Sequence, residues 1–329
     1  MAPQAAGVRL ADLQGSVAPQ LAAVAEELRR MISADFPLIE EVNGHLLQMK
    51  GKLFRPMLLF LANRAAQADD LRLVRFAGVV ELTHLATLVH DDSVDHSTLR
   101  RGMPTINALF SHQISVIMGD YLYSRAMIEL VGVDDLEAMR IIARVTNEMT
   151  VGEMRQLSAY DALQFTEEEY GFLIRAKTAS LFSAACEMGA LRAPPRRRAA
   201  LRDFGNALGM AFQITDDLLD YTEGEAVTGK PSGLDLKEHK VTLPLIAALP
   251  RLAAADRREV EALFAEQEPG DERVARVIAL VERAGGLAYA RERAVEWASR
   301  AEEALEELPP SQARDTLRDA VVYSMERRR

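Results

Sequence analysis

Apolar residues recur at spacings of three and four along most of the chain, from about residue 16 onward. The stretches VAPQLAAVAEELRRMI, LRLVRFAGVVELTHLATLVHDD and AMRIIARVTNEMTVGEM all follow this pattern, which is typical of amphipathic helices. Alternating runs of β-branched and aromatic residues, which would predict strands, are scarce. The pattern therefore predicts an all-α protein.

Prolines and glycines separate the periodic stretches, for example at Pro37, Pro104 and Pro194–Pro195. Because these breaks are short, they indicate helix ends rather than a linker between domains. We predict a single domain over residues 1–329, built as a bundle of roughly a dozen helices. Residues 1–15 precede the periodic pattern, and we expect them to form a flexible segment.

Composition and charge narrow the function classes. The chain has 329 residues and 49% apolar residues, enough for a large core, and its formal net charge is −10. A nucleic-acid-binding protein needs a basic surface, so no nucleic-acid partner is expected. The single cysteine, Cys186, excludes an internal disulfide and a cysteine-based metal cluster. With neither a signal-peptide pattern nor an apolar run of about 18 residues, we expect a cytoplasmic protein with at most transient membrane contact.

Two acidic motifs end apolar helical stretches. In the first, Asp91 and Asp95 share one helix face. Asp216-Asp217-Leu218-Leu219-Asp220 repeats the spacing at 216 − 91 = 125 residues downstream. Like charges this close repel unless a cation lies among them, and oxygen ligands without cysteine or a histidine pair favour Mg²⁺ over Zn²⁺. Two such helix ends can face each other across a bundle and hold metal ions between them.

Basic residues cluster despite the negative net charge. Lys52 and Arg55 lie one helical turn apart, and Arg100-Arg101 follows the first acidic motif by five residues. Further lysines lie on either side of the second acidic motif, at Lys177, Lys230 and Lys240. Lysine and arginine bind phosphate groups, so the two kinds of motif indicate a metal-bound polyphosphate and a second anion held by basic residues. Any one basic pair would also fit an ordinary solvated helix face.

Six motifs occur in the order and spacing of one enzyme family: GKLFRP, HDDSVDHSTLRRG, GEMRQ, KTASLF, FQITDDLLD and GKPSGLDLKEHKVTLP. Over roughly residues 45–250 the chain resembles the trans-isoprenyl diphosphate synthases, the polyprenyl synthetase family. The resemblance implies a helical bundle around a deep central cavity, a homodimer, and three Mg²⁺ ions in each active site. It also implies two substrates, isopentenyl diphosphate and an allylic diphosphate such as farnesyl or geranylgeranyl diphosphate.

The resemblance assigns roles to individual residues. It implies that Asp91, Asp95 and Asp216 bind metal, with Asp92, Asp217 and Asp220 supporting them or binding through water. The residues implied to contact the allylic diphosphate are Arg100, Lys177, Lys230 and Lys240. The residues implied to hold isopentenyl diphosphate are Gly51, Lys52, Arg55, His84 and Arg101. Thr178 and Gln213 would stabilise the carbocation that forms when the allylic diphosphate ionises, and the double bond of isopentenyl diphosphate would attack it.

Product length is expected to depend on the helix before Asp91. The growing chain would pass Ala86 and Thr87, then Thr83, then Val80 and Val79, one turn after another. Small side chains at the first gate permit growth, and HLATLVHDD resembles the long-chain subgroup, so we predict an octa- or nonaprenyl product for a quinone side chain. Three alternatives stay open: a geranylgeranyl diphosphate synthase, a terpene cyclase, and a non-catalytic subunit of a heteromeric synthase. Intact basic motifs argue against a cyclase, and complete acidic motifs argue against a non-catalytic subunit.

Overall fold

The computed structural model describes residues 7–49, 51–157, 162–222 and 233–326, and within these ranges the chain is almost entirely helical. The all-α prediction is confirmed. The α-helices are α1 (Leu10–Gln14), α2 (Ala18–Ile32), α3 (Pro37–Gln48), α4 (Phe54–Ala65), α5 (Leu73–Val94), α6 (Ile106–Leu109), α7 (His112–Gly132), α8 (Leu136–Leu157), α9 (Glu167–Ile174), α10 (Ser180–Gly189), α11 (Pro195–Thr222), α12 (Leu234–Lys237), α13 (Leu243–Ala248), α14 (Ala254–Ala265), α15 (Asp271–Arg283), α16 (Gly286–Leu305) and α17 (Gln312–Glu326). Strands β1 (Leu99–Arg100) and β2 (Met103–Pro104) form a hairpin.

Helix α10 lies at the centre of the bundle and contacts α4, α5, α8 and α11. Every residue of α10 except Ser183 is buried. A helix without a polar face has no side to turn to water, so it becomes the axis around which amphipathic helices pack. Its small residues permit close approach: a Cβ on Gly189 would lie 2.2 Å from the Leu59 carbonyl oxygen of α4.

Helix α5, which carries the first acidic motif, is long and apolar enough to cross a membrane by length and composition. In the structure 56% of its most apolar stretch is buried inside the protein. It packs against α2, α4 and α7. Its hydrophobic character is therefore that of a core helix, which explains why its apolar residues surround it instead of forming one stripe.

The apolar core consists of one large cluster and two smaller ones. The large cluster extends from Leu13 to Val321. A second cluster is formed mainly by residues of α13, α14 and α15, and a third joins α9, α11 and α16. The single-domain organisation stays a prediction.

The start of the chain differs from the expected flexible segment. Residues 1–6 lie outside the described ranges, but Leu10–Gln14 form helix α1, and Leu13 is buried in the large core cluster. The Gln14 side chain donates a hydrogen bond to the Lys52 carbonyl oxygen at 2.6 Å. The five-residue α1 has too short a periodic pattern to be recognised in the sequence, and tertiary contacts hold it in place.

The close contact of α10 and α11 at Gly205 provides a test of the packing. A Cβ at Gly205 would lie 2.6 Å from the Phe182 carbonyl oxygen, so Gly205→Ala should lower the free energy of unfolding by about 1–3 kcal/mol. The matched control is Gly44→Ala in α3, where a Cβ would meet nothing within 4 Å, and which should stabilise by up to about 1 kcal/mol. Urea unfolding of both variants measures the difference. Equal effects of the same sign would contradict the packing.

Candidate functional site

A cleft of ≈ 490 Å³ lies beside the C-terminal end of α5. It is lined by side chains from five separate segments. Its polar lining includes Asp95 from the end of α5, Glu153 and Gln156 from α8, Lys177 and Thr178, Gln213 and Asp217 from α11, and Asp235, Glu238 and Lys240 from α12 and the residues after it. The fold thus brings one residue of each acidic motif into a single cavity with two of the predicted lysines and both residues predicted to face the carbocation.

The first acidic motif is under electrostatic strain. Asp91 is half-buried, and burial together with the nearby carboxylates of Glu153 and Asp95 raises the pKa of Asp91 to about 6, against the opposing influence of Lys177. Asp95 receives a hydrogen bond from the Lys240 ammonium at 3.2 Å. Although burial opposes it, hydrogen bonds to Glu238 and Asp95 raise the pKa of Lys240, so this lysine keeps its charge. A divalent cation would relieve the repulsion among these carboxylates.

These residues fit a magnesium site that substrate oxygens complete. Within the described ranges, no three His, Cys, Asp or Glu side chains are arranged to hold a metal ion by themselves. Mg²⁺ is normally bound by one or two carboxylates, several waters and the phosphates of a substrate. Asp95 lines the cleft, and Asp91 and Asp216 belong to the same two acidic motifs. Their carboxylates are hard oxygen ligands of this kind, and which of them bind metal stays a prediction.

In the second acidic motif, the carboxylates of Asp217 and Asp220 accept hydrogen bonds from other groups of the protein. Asp217 accepts hydrogen bonds from the Tyr170 hydroxyl at 2.5 Å and from Gln213 Nε2 at 2.8 Å. Burial raises the pKa of Asp217 to about 7, although both hydrogen bonds favour its ionised form. Asp220 accepts from the backbone N–H groups of Leu234 and Asp235 at 3.2 and 3.0 Å. These four hydrogen bonds hold the carboxylates of Asp217 and Asp220, while Asp216 is half-buried. The division of this motif into metal ligand and supporting residues stays a prediction.

Asp92 and Arg100 bind each other. Arg100 Nε lies 2.8 Å from both carboxylate oxygens of Asp92, and the pair lines a small pocket other than the main cleft. Arg100 is held there by the hairpin, whose two-residue turn, Arg101-Gly102, has φ of 53° and 75°. A hairpin turn with two positive φ angles matches the twist of the strands, and Gly102 adopts it without strain. The Arg100 guanidinium, predicted to contact a diphosphate, is thus occupied by a buried carboxylate in this structure.

A π-helix over Arg175–Ala179 carries Lys177 and Thr178 between α9 and α10. Helix α8 approaches it closely, because a Cβ on Gly152 would lie 2.7 Å from the Ala176 Cβ. This contact brings Glu153 and Gln156 of α8 to Lys177, whose ammonium pairs with Glu153 and donates to Gln156 Oε1 at 3.2 Å. Single turns of π-helix are frequent at functional sites, since they change the facing of side chains along a helix.

The side chains of Thr178 and Gln213 contact each other at the cleft. The Thr178 hydroxyl donates to Gln213 Oε1 at 2.8 Å, and both side chains line the cleft. Two dipoles with their oxygens in the cleft can stabilise positive charge that develops there.

A second group of basic residues surrounds Gly51. A Cβ on Gly51 would lie 3.1 Å from Glu81 Oε1 and 3.5 Å from an Arg101 guanidinium nitrogen. Burial lowers the pKa of Arg55 to about 10, and its Nε has no hydrogen-bond partner among the described residues. Burial and the nearby arginines also lower the pKa of His84 well below its usual value, so this imidazole is neutral. A buried guanidinium with an unpaired nitrogen is costly, and an anion such as a diphosphate would satisfy it.

Three residues that the structure places among the candidate site groups were not predicted from the sequence. Glu81 lies among the arginines, and burial raises its pKa; its position three residues before His84, on the same helix face, is a signal that could have identified it. Glu153 lies within the GEMRQ motif and pairs with Lys177. Tyr170 reaches Asp217 only through the tertiary fold. Of the predicted residues, Lys230 lies outside the described ranges, and the backbone of Lys52 is fixed by Gln14.

The residues predicted to control product length lie inside the bundle. Ala86 and Thr83 are buried, and Thr87 is half-buried. The two threonine hydroxyls donate within α5, to the carbonyl oxygens of Val79 and His84, both at 2.8 Å. Because these hydroxyls are satisfied within their own helix, they present methyl groups to their surroundings. The role of these residues in chain length stays a prediction.

The chain matches one family profile over most of its length and known enzymes over nearly all of it. The profile described as "Polyprenyl synthetase" matches residues 36–281. The chain is 38% identical to the all-trans-nonaprenyl-diphosphate synthase (geranyl-diphosphate specific) of Rhodobacter capsulatus, with 96% of this chain and 97% of that enzyme covered. It is 37% identical to heptaprenyl diphosphate synthase component 2 of Geobacillus stearothermophilus, with 96% and 98% covered.

Solved structures resemble this one over nearly the whole chain. The polyprenyl synthase of Caulobacter crescentus CB15, complexed with calcium and isoprenyl diphosphate, superposes with a TM-score of 0.92 at 33% identity, covering 99% of this chain and 100% of that one.

Proposed function

The chain belongs to the polyprenyl synthetase family, and from this membership we propose that it is an all-trans polyprenyl diphosphate synthase, a prenyltransferase. The reaction is the sequential 1'-4 condensation of isopentenyl diphosphate onto an allylic diphosphate, with farnesyl or geranylgeranyl diphosphate as primer. The observation that carries the proposal is the cleft in which Asp95, Lys177, Thr178, Gln213 and Asp217 of the second acidic motif meet.

The residues in and near the cleft have proposed roles that follow from their charges. Asp91, Asp95 and Asp216 would hold Mg²⁺, three ions in each site, together with the oxygens of the allylic diphosphate. When bound, Mg²⁺ neutralises negative charge that develops on the leaving diphosphate. Lys177 and Lys240 add cationic groups to the lining of the cleft. Thr178 and Gln213 present oxygen atoms to the carbocation, and the enclosing helices keep out the water that would quench it.

The basic group around Gly51 would hold isopentenyl diphosphate. Arg55 and Arg101 supply forked donors that match diphosphate oxygens, and a neutral His84 can donate one hydrogen bond without adding to the repulsion between them. Arg101 is aimed by the hairpin and donates to the Met49 carbonyl oxygen at 3.2 Å, so its position is fixed before substrate arrives.

We propose a long-chain product in the octa- to nonaprenyl range, for a quinone side chain. The nonaprenyl and heptaprenyl activities in the names of the relatives support this length, and so do the small residues at Ala86 and Thr87. The relative named as a component also raises the alternative of a heteromeric synthase. Both acidic motifs are complete in this chain, which favours a catalytic polypeptide.

We propose that two copies form a homodimer through α7 and α8. Apolar side chains repeat on the exposed face of α7, where Ile117 and Ile128 are 66% and 56% exposed. On α8, Met154 and Leu157 are each 63% exposed. Two adjacent long helices with apolar outer faces form the kind of patch that a second protein surface covers.

We further propose a cytoplasmic enzyme that contacts membranes transiently to release its apolar product. Fractionation of cells tests this localisation.

The first test is the reaction itself. Purified protein with Mg²⁺, farnesyl diphosphate and labelled isopentenyl diphosphate should give labelled products that, after dephosphorylation, elute on chromatography as octa- to nonaprenyl alcohols. Asp91→Asn should lower the rate by at least about 100-fold, because a ligand for the charge-neutralising metal is lost. The control is Asp203→Asn, an exposed acid on α11 that pairs with Arg202 and should retain the wild-type rate.

Each other outcome of this assay contradicts part of the proposal. Absence of elongation would contradict the enzyme, and a dominant geranylgeranyl product would contradict the long chain. Elongation that requires an added second polypeptide would support the heteromeric alternative.

The second test concerns product length. Thr87→Phe and Ala86→Phe should each shift the product to shorter chains, because an aromatic ring blocks the path that the growing chain is proposed to follow. Chromatography of the dephosphorylated products measures the shift, with Ala255→Phe on the exposed side of α14 as the control. Thr87 is half-buried and accepts a larger side chain more readily than Ala86 does. Unchanged product length in both folded variants would place the path elsewhere.

The third test concerns the dimer. Ile117→Asp combined with Ile128→Asp should convert the protein from twice the chain mass to the chain mass in size-exclusion chromatography with light scattering, since two buried charges would face each other across the interface. Ala255→Asp is the matched surface control. A double variant that stays dimeric would show that the copies meet at another surface.

A further inference from the structure

A line of hydrogen bonds begins at Tyr170 and runs along the wall of the cleft, to which all four of its residues contribute. The Tyr170 hydroxyl lies 2.5 Å from Asp217 Oδ2, Asp217 Oδ1 lies 2.8 Å from Gln213 Nε2, and Gln213 Oε1 lies 2.8 Å from the Thr178 hydroxyl. We propose that Tyr170 is a positioning residue, which fixes Asp217 and through it the amide of Gln213 so that the amide oxygen faces the reacting carbon. The inference rests on the proposed function and adds a residue to it.

The direction of each hydrogen bond follows from the chemistry of the groups. An amide NH₂ group only donates, so Gln213 Nε2 donates to Asp217 Oδ1, and the Tyr170 hydroxyl donates to Asp217 Oδ2. With its nitrogen held by Asp217, the Gln213 amide must turn its oxygen to Thr178 and the cleft. If the amide rotated by half a turn, it would present an NH₂ group with partial positive charge to a carbocation. The fixed orientation of the Gln213 amide therefore ensures that its oxygen, the negative end of the dipole, faces the carbocation.

Asp217 can hold Gln213 only if it is itself held. The Tyr170 hydroxyl occupies the second carboxylate oxygen through a short hydrogen bond of 2.5 Å. Tyr170 is only 3% exposed and packs in the third core cluster, with Ile174 of its own helix and Met210 and Ile214 of α11. The helix that carries it begins with a capping box of Thr166 and Glu169. The packing of Tyr170 and the capped start of its helix therefore fix the position of its hydroxyl.

The π-helix explains how Tyr170 and Thr178 reach the same partner helix. They lie eight residues apart on α9 and the π-helix that follows it, and in a regular α-helix eight residues would place them roughly 80° apart around the axis. A π-turn takes up one additional residue, which leaves about 20° between them. Both side chains then face α11, where Gln213 and Asp217 share one face at a spacing of four. The line of hydrogen bonds depends on this irregularity.

Tyr170→Phe tests the inference. The hydroxyl is lost and the ring is kept, so kcat should fall about 10- to 100-fold, as for one hydrogen bond to a charged group. The KM for isopentenyl diphosphate should stay unchanged, because the basic group around Gly51 is not part of the line. The matched control is Tyr289→Phe, whose hydroxyl donates to Glu167 at 2.7 Å at an exposed position and which should retain wild-type kinetics.

A double-mutant cycle separates positioning from general stabilisation. In a Gln213→Leu background, Tyr170→Phe should cause no further loss of kcat, because the group on which it acts is gone. An equal loss in both backgrounds, or wild-type kcat in Tyr170→Phe, would overturn the inference. Asp217→Asn provides a second variant with the same expected loss of kcat and unchanged KM. If wild-type protein elongates but Tyr170→Phe matches its control, this inference alone fails; if wild-type protein does not elongate, the proposed function fails.

Discussion

The site is organised by repulsion between carboxylates in a space that is partly closed to water. Asp91, Asp95 and Glu153 lie close enough for burial and mutual repulsion to raise the pKa of Asp91 to about 6. Such a group is stable only with counter-charges around it. Lys177 pairs with Glu153, Lys240 pairs with Asp95, and Arg100 pairs with Asp92. The basic residues that would meet diphosphates therefore also balance the acidic residues that would meet metal.

The packing of the central helices holds these charged groups in place. Helix α10 is buried except at Ser183, and the π-helix before it holds Lys177 and Thr178 against α8 and α11. Close contacts at Gly152 and Gly205 leave no room for side chains between these helices, so the groups at their surface have little freedom to move. A site that must meet a short-lived cation benefits from dipoles that are already in place.

The motifs could be found in the sequence because they combine local spacing with unusual chemistry. Paired aspartates one helical turn apart, and arginines directly after them, are recognisable without knowledge of the fold. Glu153 and Glu81 were missed because single acidic residues on a helix are common and their partners lie far away in the sequence. Tyr170 was missed for the same reason, since its hydrogen bond spans 47 residues. Helix α1 was missed because five residues show no period.

The sequence by itself determined the helical architecture, the two acidic motifs and the residue types able to bind diphosphate, since periodicity and local charge are properties of neighbouring residues. Only the tertiary structure decided which of these groups meet. It directed Asp92 to Arg100, turned Asp217 towards Tyr170, and aligned Thr178 with Gln213 through a π-turn that no periodicity reveals. These contacts depend on the packing of helices that are distant in the sequence. The packing decides which polar groups are buried beside a partner and which charged groups face the cleft.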